Sequence, residues 1–599
     1  MNSRINSFLL ENGLRLVDNP CVSPDFCLDW EGLKARIVAG GLAVYPRSEI
    51  AIGHGALFLT EDLATGDCAW VFKGRTAPDL GGSFSHLGET WFPASWANLI
   101  LLKNLVLEHN PEATLFPVAS PELGHSSLGV GARFTTLHWP GVDWAMKHLN
   151  LGLTANQNSI PRELVYDVDA MLDGNLDRVP FPFIGADVPE GHQGQSVQGM
   201  SHGCVLAKAK SGFHRLGISW GFNADHQPIG GKYESREDKL VEGCLLASYI
   251  TFDLSPELSL GRAIPIHLCD AAILSKAKAV LAERGLMVDE AEFDGLVGKV
   301  WTSMVKMKRR DEKYAAARAA AFSNPVGRRY HRELSIDELP GLTTPATSAV
   351  MLALCEAFEM PVQYLAPAFG FQKNLPYPDN DRLRAMFQAQ WDVCHAFGAS
   401  IGVHSGSGKS AENYQAIGEI TGGRLEIKTS GRFTYEMGRA LASSTDPGDR
   451  ALWADWHGFA LTLASQGAYS DDPVERAAAR TFVSADLPGH QFASLERTQA
   501  DLFAQESSPE HLCFVEYNFL YVLATNGRAN KEALGDHSSA GYRQRARFYS
   551  VSAESRLKFA KNVAAYLIFL ARNTGLARPE KCDEADRTLA GVESLAALQ

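Results

Sequence analysis

Ile401-Gly402-Val403-His404-Ser405-Gly406-Ser407-Gly408-Lys409-Ser410 ends like a nucleotide-binding loop and begins like a β-strand, and the choice between the two decides the fold. A phosphate-cradling loop needs a glycine five positions before its Gly-Lys-Ser, so that backbone N–H groups curl around the phosphate. Position 403 holds valine. Ile401 and Val403 are β-branched, His404 follows, then a turn of small residues, and a helical pattern starts at Ala411. The segment therefore reads as a strand that ends in a histidine.

From about residue 215 the same grammar repeats: a short apolar run, a polar residue at its end, a Gly- or Pro-containing loop, then an amphipathic helix. The runs are 216–220 leading to Asp225-His226, 248–252 ending at Asp253, 330–336 ending at Asp337-Glu338, 362–365 leading to Gln372, 399–403 ending at His404, and 425–427 ending at Lys428. Helices are predicted over 271–283, 347–358 and 381–397, the first and last stopped by Gly285 and Gly398, where glycine takes the left-handed conformation. Strands alternating with helices pair in parallel through right-handed crossovers. Polar residues at the C-terminal ends of many strands, rather than at one switch point, favour a closed (β/α)8 TIM-barrel-like domain over an open doubly wound sheet. Two more strands are needed, and 134–137 and 181–184 are the candidates. The expected organisation is an N-terminal elaboration (1–110), a TIM-barrel-like α/β catalytic domain (111–440) and a helical C-terminal region packed on it (441–599), with helices at 451–463, 511–525 and 555–570.

Composition narrows the function classes. The 599 residues are 45% hydrophobic and 21% charged, ordinary for a globular protein, and the net charge of −13 argues against a nucleic-acid surface. Met1 to Asp18 carries only the patch Phe8-Leu9-Leu10, too little for a secretory signal. The best apolar run, Val563 to Ala571, is far shorter than the roughly 20 residues a bilayer requires, and reads as a buried helix. Ten scattered cysteines with no C-x-x-C pair fit reduced thiols, and a cytoplasmic location is expected.

The strand ends carry the candidate chemistry. Asp225 and His226 are adjacent, and adjacent strand residues point to opposite faces, so both reach one site only where the strand breaks. Taken alone, an Asx turn explains the pair as well. His404 alone also fits a loop histidine, whereas two histidines at separate strand ends suit a metal, to which Gln372 adds a neutral oxygen. Asp337 and Glu338 fit either a catalytic pair or a helix cap. His192, Gln195 and His202 fall in a Gly- and Gln-rich stretch that suits either a polyol site or a surface loop. Lys428 and Arg432 are candidates for a substrate carboxylate, and Lys306 to Lys313 reads as a solvated helix face.

Taken in order, Asn223-Ala-Asp-His226, Ser335-Ile-Asp-Glu338 followed by Thr-Thr-Pro, Phe371-Gln-Lys373, His404-Ser-Gly-Ser407-x-Lys409 and Ile427-Lys-Thr429 resemble the tagaturonate epimerase family. That family interconverts the keto-hexuronates tagaturonate and fructuronate with a divalent metal. The resemblance implies Asp225 as proton acceptor, Glu338 as proton donor, and His226, Gln372 and His404 as ligands of a divalent cation (Zn, Mn, Ni, Co or Fe). It also implies a small sugar acid as substrate, for which the residues themselves offer His192, Gln195, Lys409 and Lys428 as contacts; from composition no nucleic-acid or membrane partner is expected, and a homo-oligomer is compatible. The two keto acids differ at the carbon β to the ketone, whose C–H is not acidified. A retro-aldol route is therefore expected, with the metal as Lewis acid and an acid/base on each face. Transient oxidation would need a nicotinamide, and Gly129-Val-Gly-Ala-Arg-Phe134 lacks the third glycine of a dinucleotide fingerprint. The rival readings are an aldose–ketose isomerase or aldolase with the same ligands, a nucleotide hydrolase or kinase built on Gly406 to Ser410, and a non-catalytic carbohydrate-binding protein.

Overall fold

In the computed structural model, residues 3–18, 28–131, 134, 136–155, 197–337, 341–372, 374–523, 527 and 538–598 are described. Glu338, His192 and Gln195, and the strand expected at 181–184, lie outside them.

Eight short parallel strands close into a barrel in sequence order: β6 (Ser127–Val130), β7 (Leu153–Ala155), β8 (Gly221–Pro228), β9 (Tyr249–Asp253), β10 (His331–Ser335), β11 (Tyr364–Ala366), β12 (Ser400–Val403) and β13 (Leu425–Lys428). Closure is the β13–β6 pairing, Glu426 opposite Ser127 and Lys428 opposite Gly129. Ahead of the barrel, β1 (Ala43–Ile52), β2 (Gly55–Glu61), β3 (Cys68–Gly74), β4 (Phe84–His86) and β5 (Glu89–Pro93) form an antiparallel sheet in the order β1-β2-β3-β5-β4. Helix Val197–Ser211 packs on β1 and β2.

The barrel interior is polar, and this explains which strands the sequence shows plainly. Leu128, Phe222, Ile250, Phe252, Leu334, Leu365, Ile401, Val403, Leu425 and Ile427 face the surrounding helices and are buried there. The alternate positions, among them Thr154, Asn223, Asp225, Tyr249, Thr251, Glu333, Tyr364, Glu426 and Lys428, face inward and are also buried. The bond from Tyr249 Oη to Glu426 Oε2 (3.0 Å) joins the non-neighbouring β9 and β13, which is possible only across the interior. At the floor Tyr249 stacks on Tyr364, ring centroids 5.3 Å apart, and Tyr364 Oη donates to the Leu123 carbonyl.

Three expectations are corrected. The described residues among 134–137 form no strand; Phe134 instead packs against Phe548 and Phe559 of the C-terminal helices, and the missing strands are the three- and four-residue β7 and β6. Segments so short, made of Ser, Gly, Thr and Ala beside a few apolar letters, lack a legible period. The strand expected at 216–220 begins at Gly221, after a left-handed turn at Gly217 (φ 67°), because the polar Asn223, Asp225 and Gln227 interrupt its apolar pattern. His202 is not in a loop but buried in helix Val197–Ser211.

The expected helices form as Ala271–Glu283, Pro345–Ala357 and Asn380–Ala396, each started by a side-chain cap from Asp270, Thr344 or Asp379. Lys306 to Lys313 lies on the long helix Glu290–Ala321. It is less solvated than its charge implies, since buried Arg310 pairs with Glu237 at 2.6 Å. The C-terminal helices include Pro447–Gly467, Leu512–Leu523 and Ala553–Asn573. The last packs against Trp139–Leu149, Ala411–Thr421 and Ser430–Ala442 outside the barrel. Among the described residues no helix is long and apolar enough to cross a membrane, and the cysteines are buried free thiols.

Three buried histidines are hydrogen-bonded to carbonyls, His138 locally to Phe134, His202 to Ala94 and His331 to Ser120. Burial pushes their pKa values down from 6.5 to about 3, about 4 and about 4. Because the folded values are depressed, the unfolded chain binds more protons below pH 6.5. Stability is then full above that pH and is lost as pH falls toward 4, by about 1.4 kcal/mol per pH unit for each titrating histidine. The melting temperature measured by calorimetry is expected to fall between about pH 6.5 and 4.5, and to fall less steeply in His202→Gln.

Candidate active site

At the C-terminal ends of the barrel strands, β8 breaks its register. Asn223 and Ala224 pair with Tyr249 and Ile250, but the next pair is Gln227 with Phe252, so Asp225 and His226 form a bulge. His226 has a positive φ of 45°, which turns its ring to the same side as Asp225. The geometric condition on the pair is thus met. The His226 ring lies 3.9 Å from Asp225 Oδ1 through Nε2 and 3.7 Å from Asp253 Oδ2 through Nδ1.

His404 follows β12 directly, and the chain turns away at Ser405 (φ 54°). Its ring centroid is 4.8 Å from that of His226. Nε2 is hydrogen-bonded to Glu333 Oε1 at 3.1 Å, while Nδ1 lies 3.0 Å from Asp337 Oδ2 without forming a hydrogen bond. Asp337, just past β10, is fixed by Ser335 Oγ, which donates to its Oδ1 at 2.6 Å. Donor atoms of His226, Asp337 and His404 all lie within 4.8 Å of one another. Asp337 is the more accessible member, its side chain 17% exposed against 5% for His404.

Below this triad sits a charged network. Lys428 Nζ donates to Asp225 Oδ1 (2.6 Å) and Glu333 Oε2 (2.8 Å), and Thr251 Oγ1 donates to Glu333 Oε2 (2.6 Å). Asn223 Nδ2 reaches Thr251 Oγ1 (3.0 Å), and Asp225 Oδ2 is buried without a hydrogen-bond partner. Burial opposes charge on Lys428, but Asp225 and Glu333 outweigh it and hold its pKa above the ordinary lysine range. Burial likewise opposes charge on His404, yet Asp337 and Glu333 raise its pKa to about 10. Glu333 and Asp337 are held below the usual carboxylate range against their burial, Glu333 chiefly by Lys428 and Asp337 by His404. Burial and the neighbouring Glu333 push Glu426 well above it.

These observations test whether a divalent cation fits. Two imidazoles and a carboxylate from three different strand ends form a donor set suited to first-row metals. Lys428 pairs with Asp225 and Glu333, His404 lies beside Glu333 and Asp337, and the field between Asp337 and Glu333 holds positive charge even on a buried ring. The residues fit such an ion.

The remaining expected residues are placed as follows. Gln372 is exposed, and its backbone carbonyl, rather than its amide, is engaged by Lys409; the residue that meets the two histidines is Asp337. Lys409 is buried and donates to the carbonyls of Gln372, Leu375 (2.7 Å) and Ser407 (3.3 Å). Its three donors are spent on the loop, so neither a substrate carboxylate nor a phosphate finds one free. Arg432 pairs with Glu436 at 2.7 Å and lies over the Tyr435 ring. Glu333 and Thr251 were not singled out in the sequence. The signal was there: in Tyr249-Ile-Thr-Phe-Asp253 and His331-Arg-Glu-Leu-Ser335 the polar residues alternate with apolar ones that must face the helices.

Removing Lys428 would leave Asp225 and Glu333 buried beside each other. Lys428→Met is expected to cost about 3–5 kcal/mol of stability, read by chemical denaturation of metal-free protein.

The expected resemblance is borne out by comparison with known proteins. The family model for tagaturonate epimerase matches residues 313–469, which span β10 to β13 and contain Asp337, His404 and Lys428. The fold is shared with the fructuronate-tagaturonate epimerase of Cohnella laeviribosi. Its glycerol-complexed crystal structure superposes with a TM-score of 0.53 at 16% identity, covering 91% of this chain and 99% of that one. Its native structure gives 0.50 with the same identity and coverage. No curated protein matches the chain in sequence.

Proposed function

We propose that the protein is an isomerase that epimerises keto-hexuronates, interconverting tagaturonate and fructuronate, and that it depends on a divalent metal. The observation that carries this reading is the convergence of His226, Asp337 and His404 above the Asp225–Lys428 pair at the mouth of the barrel. The family match over β10 to β13 and the shared fold support it. His226, Asp337 and His404 would hold the ion, with Gln372 no longer needed for a three-residue set. Bound there, it would supply Lewis-acid stabilisation of negative charge developing on the substrate.

The chain's own residues account for the proton movements of a retro-aldol route. Asp225 Oδ2, which has no hydrogen-bond partner, accepts the proton of the hydroxyl on the carbon β to the ketone. As that O–H electron pair becomes a carbonyl, the bond between the α and β carbons breaks and its electrons pass to the ketone side. The aldehyde rotates, the bond re-forms on its other face, and an acid returns a proton to the new alkoxide. Glu338 is assigned that role. Lys428 keeps one ammonium proton beyond those given to Asp225 and Glu333, and it is assigned to the negative charge of the substrate.

Thorough chelation is expected to abolish epimerisation, and added Mn, Co, Ni or Zn to restore it; retained activity in the chelated protein would overturn the metal requirement. Asp225→Asn is expected to lower kcat by about 10²–10⁴-fold. In deuterated solvent the product should carry no carbon-bound label at the epimerised position. A label there would instead place proton transfer at carbon, as in an aldose–ketose isomerase.

A further inference from the structure

We infer that Glu333 is the positioning residue that sets how the barrel presents His404 to a divalent cation and Lys428 to Asp225. This inference rests on the metal reading above. Glu333 lies in the middle of β10, fully buried, and its side-chain hydrogen bonds run to His404 Nε2, Lys428 Nζ and Thr251 Oγ1. An isolated carboxylate buried this deeply would be strongly destabilising. Here it joins the metal-ligand side of the site to the acid/base side.

The geometry makes the role specific. An ionised carboxylate only accepts hydrogen bonds, so the His404 nitrogen facing Glu333 carries the ring proton. In the neutral ring that a cation would require, Nδ1 then keeps its lone pair, and Nδ1 is the nitrogen beside Asp337. Glu333 thereby selects both the tautomer and the ring orientation in which His404 can serve as a ligand. Its second oxygen draws Lys428 to a position where the same ammonium reaches Asp225 Oδ1 and leaves Oδ2 without a partner.

A second observation shows that the barrel makes room for this carboxylate. Gly402 sits on the inward face of β12, and a Cβ built there would lie 2.2 Å from Glu333 Oε1. Any side chain at 402 would displace the carboxylate from beneath His404. The glycine thus marks a close approach rather than a backbone requirement, since its φ is not among the positive values.

The test is titration of metal-free protein with Co(II), followed by visible absorption, with folding checked by circular dichroism. Glu333→Gln is expected to weaken Co(II) binding by about 10–100-fold and to change the absorption band, with kcat reduced more than KM is raised. Gly402→Ala, which removes no polar group, is expected to shift the Co(II) affinity and the band in the same direction. Lys208→Met, which breaks the buried Lys208–Asp143 pair elsewhere in the fold, controls for loss of stability and should leave both unchanged. If the unaltered protein binds Co(II) and folded Glu333→Gln binds it equally tightly with the same band, the role of Glu333 is overturned while the metal reading stands. Should Glu333→Gln not fold, unchanged Co(II) binding in Gly402→Ala overturns it instead. Failure of the unaltered protein to bind Co(II) would overturn both.

Discussion

The site depends on one constraint: carboxylates buried inside a barrel must meet positive charge. Asp225 and Glu333 are fully buried, and the ammonium of Lys428 lies between them at 2.6 and 2.8 Å. Asp337 and the far side of Glu333 make the same demand on His404 from opposite sides of its ring. Barrel cores are usually filled by branched apolar side chains. Here the apolar residues of each strand face the helices, and the interior is given over to a hydrogen-bonded polar network. Such a network is costly unless its charges are paired, and the pairs run between different strands, which fixes their relative positions.

The stretch at 401–410 shows how the frame around the network is held. Its glycines and lysine imitate a phosphate loop, yet Lys409 binds the adjoining loop through three backbone carbonyls. Tyr414 Oη donates to the Gly406 carbonyl, and the Gly408 N–H donates to Tyr566 Oη from the C-terminal helix Ala553–Asn573. The C-terminal region thus braces the turn that carries His404.

Much of this was legible in the sequence because barrel strands ending in polar residues leave a repeated mark. Six strands, their helices, and the pairing of His226 with His404 follow from that mark. β6 and β7 did not, being too short to show a period. Asp337 was visible only as half of a carboxylate pair that also fits a helix cap, and what distinguishes it is its distance to His404 across the barrel. Glu333 was hidden more deeply. An acidic residue inside a strand reads as solvent-facing, and only the cross-barrel contacts with Lys428 and Thr251 reverse that reading. Gln372 and Lys409 each occupy the expected loop, but backbone hydrogen bonding there claims the ammonium of Lys409 and leaves Gln372 exposed.

The central claim is that this mouth binds a divalent cation through His226, Asp337 and His404. Crystals grown with manganese, measured on the low-energy side of its absorption edge and above it, test that claim directly. The account predicts an anomalous difference peak, present only above the edge, in contact with one atom from each of these three side chains. A peak coordinated elsewhere, or none at full manganese occupancy of the solution, would contradict it.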